Sequence, residues 1–318
     1  MRVIRIGTRG SALAQWQAHL VASTLRGIAP DIRVLIVEIV STGDRIQDVP
    51  LTDIDGTGLF TAALERALLD RAVDVAVHSY KDLPVDATPD LAIAAVPARG
   101  PVEDALCARD GLTLDALPAG ARIGTCSARR TAQVRALRPD LDIRPLRGNV
   151  PTRVGRVTAG QLDAIVLARA GLVRLGLEAC ISEVFPLDRM RPAPAQGALA
   201  VQCRSADAEL LRLLSTLDDA GTRRAVTAER TLLHALGGGC SVPVGAYAAC
   251  DGRSIALAAG VFSLDASCTV TTTEAGTDPV AVGETAAARL VDMGASAILA
   301  GFDRAARLER PTASGAVS

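Results

Sequence analysis

Hydrophobic and polar positions alternate along the first half of the chain with two different periods. Residues 3–7 (VIRIG) and 33–40 (RVLIVEIV) are short apolar runs rich in β-branched side chains, which predict strands. Between them, 11–26 carries apolar residues at helical spacing, with Ser11 placed as its N-cap. Residues 59–70 predict another helix and 73–77 (VDVAV) a buried strand. Strands alternating with helices predict βαβ units and a largely parallel sheet.

A crossing rich in Pro, Gly and charge follows at 97–104 (PARGPVED), and the alternation then restarts. Strands are predicted at 121–125, 141–145 and 163–168, helices at 127–137 and 151–159. A proline-rich break at 186–194 precedes the apolar run 197–203, read as a strand returning to the first domain. Beyond it come a helix at 222–236, the string GGGC, strands at 244–249, 254–262 and 267–273, and a helix at 279–294. The expectation is an α/β chain with two lobes and a small α+β C-terminal domain. The first lobe is 1–97 with 198–216, the second 103–192, the third domain 220–307, and 308–318 reads as a disordered tail.

Composition narrows the class. The chain has 318 residues, 49% of them hydrophobic, enough for packed cores. No stretch approaches the ~18 uninterrupted apolar residues of a membrane span. The first twenty residues carry Arg2, Arg5, Arg9, Gln15, Gln17 and His19, unlike a signal peptide, so a soluble cytoplasmic protein is expected. Seven cysteines without a CxxC pair and three histidines point to neither a disulfide framework nor a metal site. Aromatic residues at 2% leave no base-stacking platform.

Net charge is −1, yet it is unevenly spread. Residues 121–156 hold Arg122, Arg129, Arg130, Arg135, Arg138, Arg144, Arg147, Arg153 and Arg156 against Asp140 and Asp142, nine minus two giving +7. Solvated helix faces with snorkelling stems are one explanation. A site for a multiply charged anion is the other, because guanidinium groups grip carboxylate or phosphate through paired hydrogen bonds. Thr125, Cys126 and Ser127 lead from a strand into a helix, where free N–H groups converge on the same place.

Two loops carry further candidate chemistry. His78-Ser79-Tyr80-Lys81-Asp82-Leu83-Pro84 follows the strand 73–77 and holds the only lysine of the chain beside a carboxylate. A solvated Lys–Asp pair is the bland alternative, and His78 reads as a hydrogen-bonded core residue. Gly237-Gly238-Gly239-Cys240 permits close backbone approach and an accessible sulfur, although a helix C-cap before a buried cysteine accounts for the same letters.

Taken together, these segments resemble the hydroxymethylbilane synthases, also called porphobilinogen deaminases. The matching strings are IRIGTRGSALAQWQA (4–18), GLF (58–60), AVHSYKDLP (76–84), IGTCSARRTAQ (123–133), LRGNVPTR (146–153), LDAIVLARAGLVRLG (162–176), PAPAQGALAVQCR (192–204) and AERTLLHALGGGCSVPVGAY (228–247). The resemblance implies two lobes like those of periplasmic binding proteins, with the active cleft between them. It also implies a third domain whose Cys240 carries a dipyrromethane cofactor through a thioether. The implied reaction joins four porphobilinogen molecules head to tail, releasing ammonia, and yields the linear tetrapyrrole hydroxymethylbilane. Each pyrrole brings an acetate and a propionate, which gives the arginine excess a reason.

By position, the resemblance makes Asp82 the catalytic carboxylate. It assigns Lys81, Thr125, Ser127, Arg129, Arg130 and Gln196 to the cofactor, and Arg9, Ser11, Arg147, Arg153 and Arg174 to substrate and growing chain. The mobile loop over the cleft falls on Asp53, Gly56 and Gly58 with Phe60. Relatives often carry lysines there, and this chain has two aspartates instead. Cys126 stands where serine is common and reads as a tolerated isostere. No metal is implied. A cytoplasmic monomer is, with its product passed to uroporphyrinogen-III synthase. The alternatives are a non-catalytic polycarboxylate-binding protein with the same cleft and, less suited to the scarce aromatics, an RNA-binding module.

Overall fold

The computed structural model describes residues 2–40, 61–239 and 242–308. Its first sheet contains β1 (Val3–Thr8), β2 (Arg33–Glu38), β3 (Val75–Ser79), β4 (Leu91–Ala95) and β10 (Leu199–Arg204), in the order β2-β1-β3-β10-β4. Helices α1 (Ala12–Ile28) and α2 (Ala62–Leu69) connect its early strands. Ser11 caps α1, its Oγ accepting from the Ala14 N–H at 3.3 Å. Ile4, Ile6, Val75 and Val77 pack with Val21 and Leu25 on one face, while Ala76 packs with Leu64 and Leu68 on the other. The inner strand β3 is buried on both faces, which is why Val75–Val77 reads as a continuous apolar run without polar alternation.

The second sheet follows the same plan with β5 (Asp104–Ala108), β6 (Arg122–Gly124), β7 (Asp142–Arg144), β8 (Ala164–Ala168) and β9 (Glu183–Val184), ordered β7-β6-β8-β5-β9. Helices α3 (Ala128–Leu137), α4 (Val150–Thr158) and α5 (Arg169–Arg174) flank it. Leu106, Ile123 and Phe185 fill one side, Ile165, Leu167 and Leu172 the other.

The expectation of largely parallel sheets needs correction. β1 pairs parallel with β2 and β3, but β10 runs antiparallel to β3 and β4. Likewise β6 is parallel to β7 and β8, while β5 is antiparallel to β8 and β9. The reversed strands β5 and β10 follow the two crossing segments between the sheets. A strand arriving through a crossing is free of the right-handed βαβ constraint that keeps its neighbours parallel. Pairing with β10 also carries β3 through His78 and Ser79, two residues beyond the predicted end.

After α6 (Ala208–Leu214) and α7 (Ala220–Ala235), strands β11 (Val244–Asp251), β12 (Ser254–Phe262) and β13 (Thr269–Gly276) form an antiparallel sheet. Helices α7, α8 (Pro279–Asp292) and α9 (Ala295–Leu308) accompany it, with Leu232, Ala286 and Leu290 packed on Val244, Leu257 and Ala259. This is the expected α+β unit.

The three units meet at Glu229, a wholly buried carboxylate of α7. It takes both Nη groups of Arg99 at 2.7 and 2.9 Å, and the backbone N–H groups of Ala195 (2.6 Å) and Ala248 (2.8 Å). Arg99 and Ala195 belong to the two crossings, and Ala198 and Val96 pack there against Val226. One carboxylate thus ties both crossings to the third unit. Removing one partner of such a pair leaves a buried charge uncompensated, at about 3–5 kcal/mol.

Candidate active site

The end of β3 carries the first group of candidates. Ser79 is followed by a 3-10 turn, Tyr80–Asp82, that leaves Asp82 exposed. Asp82 lines a pocket with Arg9, Ser11, Gln17, His78 and Ser79. Ser11 therefore both caps α1 and faces this pocket, and Gln17 donates from Nε2 to Ser79 Oγ at 2.7 Å.

His78 is buried, with Nε2 3.1 Å from Gln202 Oε1. The Gln202 amide donates from Nε2 to Glu65 Oε1 at 2.9 Å, so its oxygen receives the His78 N–H and the tautomer follows from the network. Burial pushes the imidazole down to about 4, against the pull of Gln202. A neutral, hydrogen-bonded His78 is a core residue, as its sequence context suggested. Between about 4 and 6.5 the unfolded chain binds a proton there that the folded chain refuses. Stability therefore falls as pH drops through this window, with a slope approaching about 1.4 kcal/mol per pH unit. Urea unfolding at pH 6.5 and 4.5 should show a smaller loss for His78→Asn than for the parent, and equal losses would refute this account.

Lys81 points the other way. Its Nζ donates to Gln196 Oε1 at 3.1 Å, and Gln196 Nε2 donates onward to Asp104 Oδ1 at 2.9 Å and Val102 O at 2.9 Å. Asp104 opens β5 and is wholly buried between Arg129 and Arg130. Arg129 Nη1 reaches Asp104 Oδ2 at 2.7 Å, and Arg130 reaches Oδ1 through Nη2 at 2.7 Å and Nε at 3.0 Å. Burial alone would raise the Asp104 carboxyl, but the two guanidinium groups outweigh it and hold the group well below the usual carboxylate range. Two arginines against one carboxylate leave one positive charge in excess. Burial pushes Lys81 down to about 8, and repulsion from Arg130 adds to it.

The segment between β6 and α3 sits beside this cluster. Ser127 caps α3, its Oγ accepting from the Arg130 N–H, and Thr125 Oγ1 accepts from the Ser127 N–H at 3.2 Å. Cys126 is exposed, yet its sulfur is tied to the backbone of Leu146, donating to the carbonyl at 2.8 Å and accepting from the N–H at 3.0 Å. Next along the chain, Arg147 buries Nη2 without a hydrogen-bond partner among the described residues. Arg153 donates from Nε to Gly148 O at 2.7 Å. Burial lowers its guanidinium, Arg130 and Arg147 repel it, and Asp82 attracts it, so Arg153 on α4 lies within electrostatic reach of Asp82 in the turn after β3. Arg174 is engaged differently. It donates from Nη2 to Gly197 O at 2.6 Å and lies 5.7 Å over the Trp16 ring, spanning α5 and α1. Burial takes it down to about 10.

Residues 4–212 match the family model described as porphobilinogen deaminase, dipyromethane cofactor binding domain, and 223–292 match porphobilinogen deaminase, C-terminal domain. The chain is 50% identical over 308 residues to porphobilinogen deaminase of Mycolicibacterium gilvum, covering 93% of this chain and 98% of that one. To the porphobilinogen deaminase of Roseiflexus castenholzii it is 47% identical over 300 residues, covering 94% and 99%. The chain belongs to the porphobilinogen deaminase family.

For a porphobilinogen deaminase, the fitting test is whether the cleft suits a carboxylate-rich dipyrromethane. The orphaned Nη2 of Arg147 is a buried donor that needs an acceptor, and the surplus positive charge around Lys81 and Arg130 needs an anion. Both fit. The arginine excess as a whole does not serve that end. Arg122 pairs with Asp163, Arg144 with Asp142, Arg138 with Asp140 and three backbone carbonyls, Arg156 with Gln161, and Arg135 with the Leu264 carbonyl. These five are engaged within the fold, so the anion-site expectation narrows to Arg129, Arg130, Arg147 and Arg153.

Sequence reasoning missed Asp104, Glu229 and Gln202. Gln202 interrupts the apolar run 197–203, whereas Asp104 and Glu229 stand beside the charged neighbours Glu103 and Arg230, which hide them in the sequence pattern. Cys240 and the loop residues Asp53, Gly56, Gly58 and Phe60 lie outside the described residues, as does the tail 309–318. The approach to Cys240 is described. Gly237, at φ +66, ends α7 in a Schellman arrangement, its N–H bonding His234 O at 2.9 Å while Gly238 N–H bonds Leu233 O at 3.0 Å. A Cβ on Gly238 would stand 2.8 Å from Leu233 Cδ1 and 2.9 Å from Val242 Cγ2. The C-cap reading of the glycine run is realised at Gly237, while the accessible-sulfur reading concerns Cys240, outside the described residues.

Proposed function

We propose that this porphobilinogen deaminase is a working hydroxymethylbilane synthase and that Asp82 carries its proton chemistry. The observation that carries the reading is the placement of Asp82, exposed in a pocket with Arg9 and Ser11 and within reach of the Arg153 charge. Bound dipyrromethane supplies the pyrrole carbon to which porphobilinogen units are joined. The chain's own residues do the rest. Asp82 donates a proton to the leaving amine of porphobilinogen, faces the cation that remains, and takes up the pyrrole proton after bond formation. Lys81, Thr125, Ser127, Arg129, Arg130 and Gln196 hold cofactor side chains. Arg9, Ser11, Arg147, Arg153 and Arg174 hold substrate and the elongating chain.

The same reading divides the chain into 1–97 with 198–216, 103–192, and 220–307. It makes the protein a cytoplasmic monomer that passes its product to uroporphyrinogen-III synthase. Among the described residues no helix is long and apolar enough to cross a membrane.

The assignment separates two classes of arginine variant. Arg129→Ala and Arg130→Ala should accumulate apo-protein, because each removes a cofactor donor and unbalances Asp104. Arg147→Ala and Arg153→Ala should retain the covalent adduct and lose about tenfold or more in kcat/KM, the usual worth of a hydrogen bond to a charged group. Intact mass and steady-state rates measured on all four decide the matter. Equal adduct content across the set, with activity lost throughout, would sink the division of labour.

A further inference from the structure

The helix that holds the crossings through Glu229 presents its next residue to the catalytic turn. Arg230 donates from Nη1 to the carbonyls of Tyr80 (3.3 Å) and Leu83 (3.1 Å), and from Nη2 to the carbonyl of Pro84 at 2.5 Å. Its Cζ lies 4.5 Å from the centroid of the Tyr80 ring. These contacts bracket Lys81 and Asp82 on both sides. The closing bond of the turn itself, Leu83 N–H to Tyr80 O, is long at 3.3 Å. A lone 3-10 turn is a soft element, and a planar guanidinium can span three carbonyls in a way an ammonium cannot.

We infer that Arg230 is a positioning residue for Asp82, fixing the catalytic turn of the first lobe to the helix of the third unit. The inference rests on the assignment of Asp82 made above. Neighbouring anchors make α7 a firm base for this role. Glu229 is held by the bidentate Arg99 contact and two backbone N–H groups, and Val85, just past the turn, packs on the third unit's core. Among the described residues, the hydrogen bonds and ring contact of Arg230 go to Tyr80, Leu83 and Pro84, not to the residues assigned to substrate carboxylates. Its loss should therefore displace the proton donor while leaving substrate affinity alone. A misplacement of about 1 Å is enough to cost up to about a hundredfold in rate.

A control lies on the same helix. Arg224 also donates to three carbonyls, those of Gly252 (2.6 Å), Thr277 (2.8 Å) and Arg253, but all belong to its own unit. R230Q and R224Q remove equivalent sets of bonds, and only the first set reaches the catalytic turn.

The test uses purified holoenzyme of R230Q, R230K, R224Q and D82A, with adduct content by intact mass and kcat and KM for porphobilinogen. R230Q should keep its adduct, lose about tenfold or more in kcat and hold KM within about twofold. R230K, which retains the charge without the fork, should fall between R230Q and the parent, and it carries the test alone if R230Q fails to fold. R224Q should keep parental kcat. Parental kcat in R230Q, an equal fall in R230Q and R224Q, or a loss that merely tracks missing adduct overturns the inference. D82A separates the two levels. An active D82A removes the Asp82 assignment and this inference with it, whereas an inactive D82A beside a normal R230Q removes the inference alone.

Discussion

Asp82→Ala should lower turnover of porphobilinogen by about a hundredfold or more, the typical cost of deleting a preorganised charge that faces a developing ion. The fold should survive, because Asp82 is exposed at a turn and surface substitutions usually change stability by no more than about 0.5 kcal/mol. Asp82→Glu should keep a small activity, since the charge remains but its position moves by one methylene. A general acid must sit within hydrogen-bond reach of the atom it protonates, so this displacement matters more than the slight difference in carboxyl acidity. The measurement is single-turnover release of ammonia by holoenzyme, with unfolding followed in parallel. Near-parental release by the alanine variant would remove Asp82 from the mechanism.

The fold was legible wherever one period dominated. The runs 3–7, 33–40 and 163–168 fall within or over β1, β2 and β8, and 197–203 returns to the first sheet as β10. Strand direction was not legible, because the apolar run of a buried strand looks the same read from either end. β4 and β5 passed unnoticed for a related reason. Leu91–Ala95 and Asp104–Ala108 are short and alanine-rich, and they flank the Pro- and Gly-rich crossing, so local composition argued for a loop while tertiary pairing made strands.

The candidate site was legible in its residue types and less so in its electrostatics. Positive charge along 121–156 raised the expectation of an anion site, yet net charge in a sequence counts donors without counting the acceptors the fold brings to them. Asp104 lies 25 residues from Arg129 in the chain and 2.7 Å from it in space. Arg138 is spent on carbonyls of Leu114, Asp115 and Leu117. By contrast, Arg147 retains a buried donor without a partner among the described residues, and that distinction exists only in three dimensions. Arg230 is the clearest case. It lies in a matching string, 228–247, but its task depends on a loop about 150 residues away in sequence, at separations of 150, 147 and 146 to its three acceptors.

Seven cysteines compete for the covalent role, and chemistry sets four of them apart from it. Burial pushes the Cys107 thiol up to about 12 and the Cys203 thiol up to about 11, which removes the thiolate a thioether needs. Burial also raises Cys250. Cys126 is exposed, but its sulfur both donates to and accepts from the Leu146 backbone, a geometry that holds it away from nucleophilic work. Cys240 alone follows a glycine run, and the resemblance places the attachment there. Cys240 would hold the dipyrromethane through a thioether, its sulfur bonding the methylene of a porphobilinogen unit that has lost ammonia and its proton passing to that unit, with a second unit added likewise. Holo-protein should therefore exceed the sequence mass by two porphobilinogen units less two ammonia, and proteolysis should locate that increment on the peptide containing Cys240. Cys240→Ser should lack both increment and activity, because a hydroxyl is far less nucleophilic at neutral pH. Cys126→Ser should keep both. An active protein of unmodified mass, or an adduct on any other cysteine, would overturn the attachment and with it the reading of the glycine run as a cofactor loop.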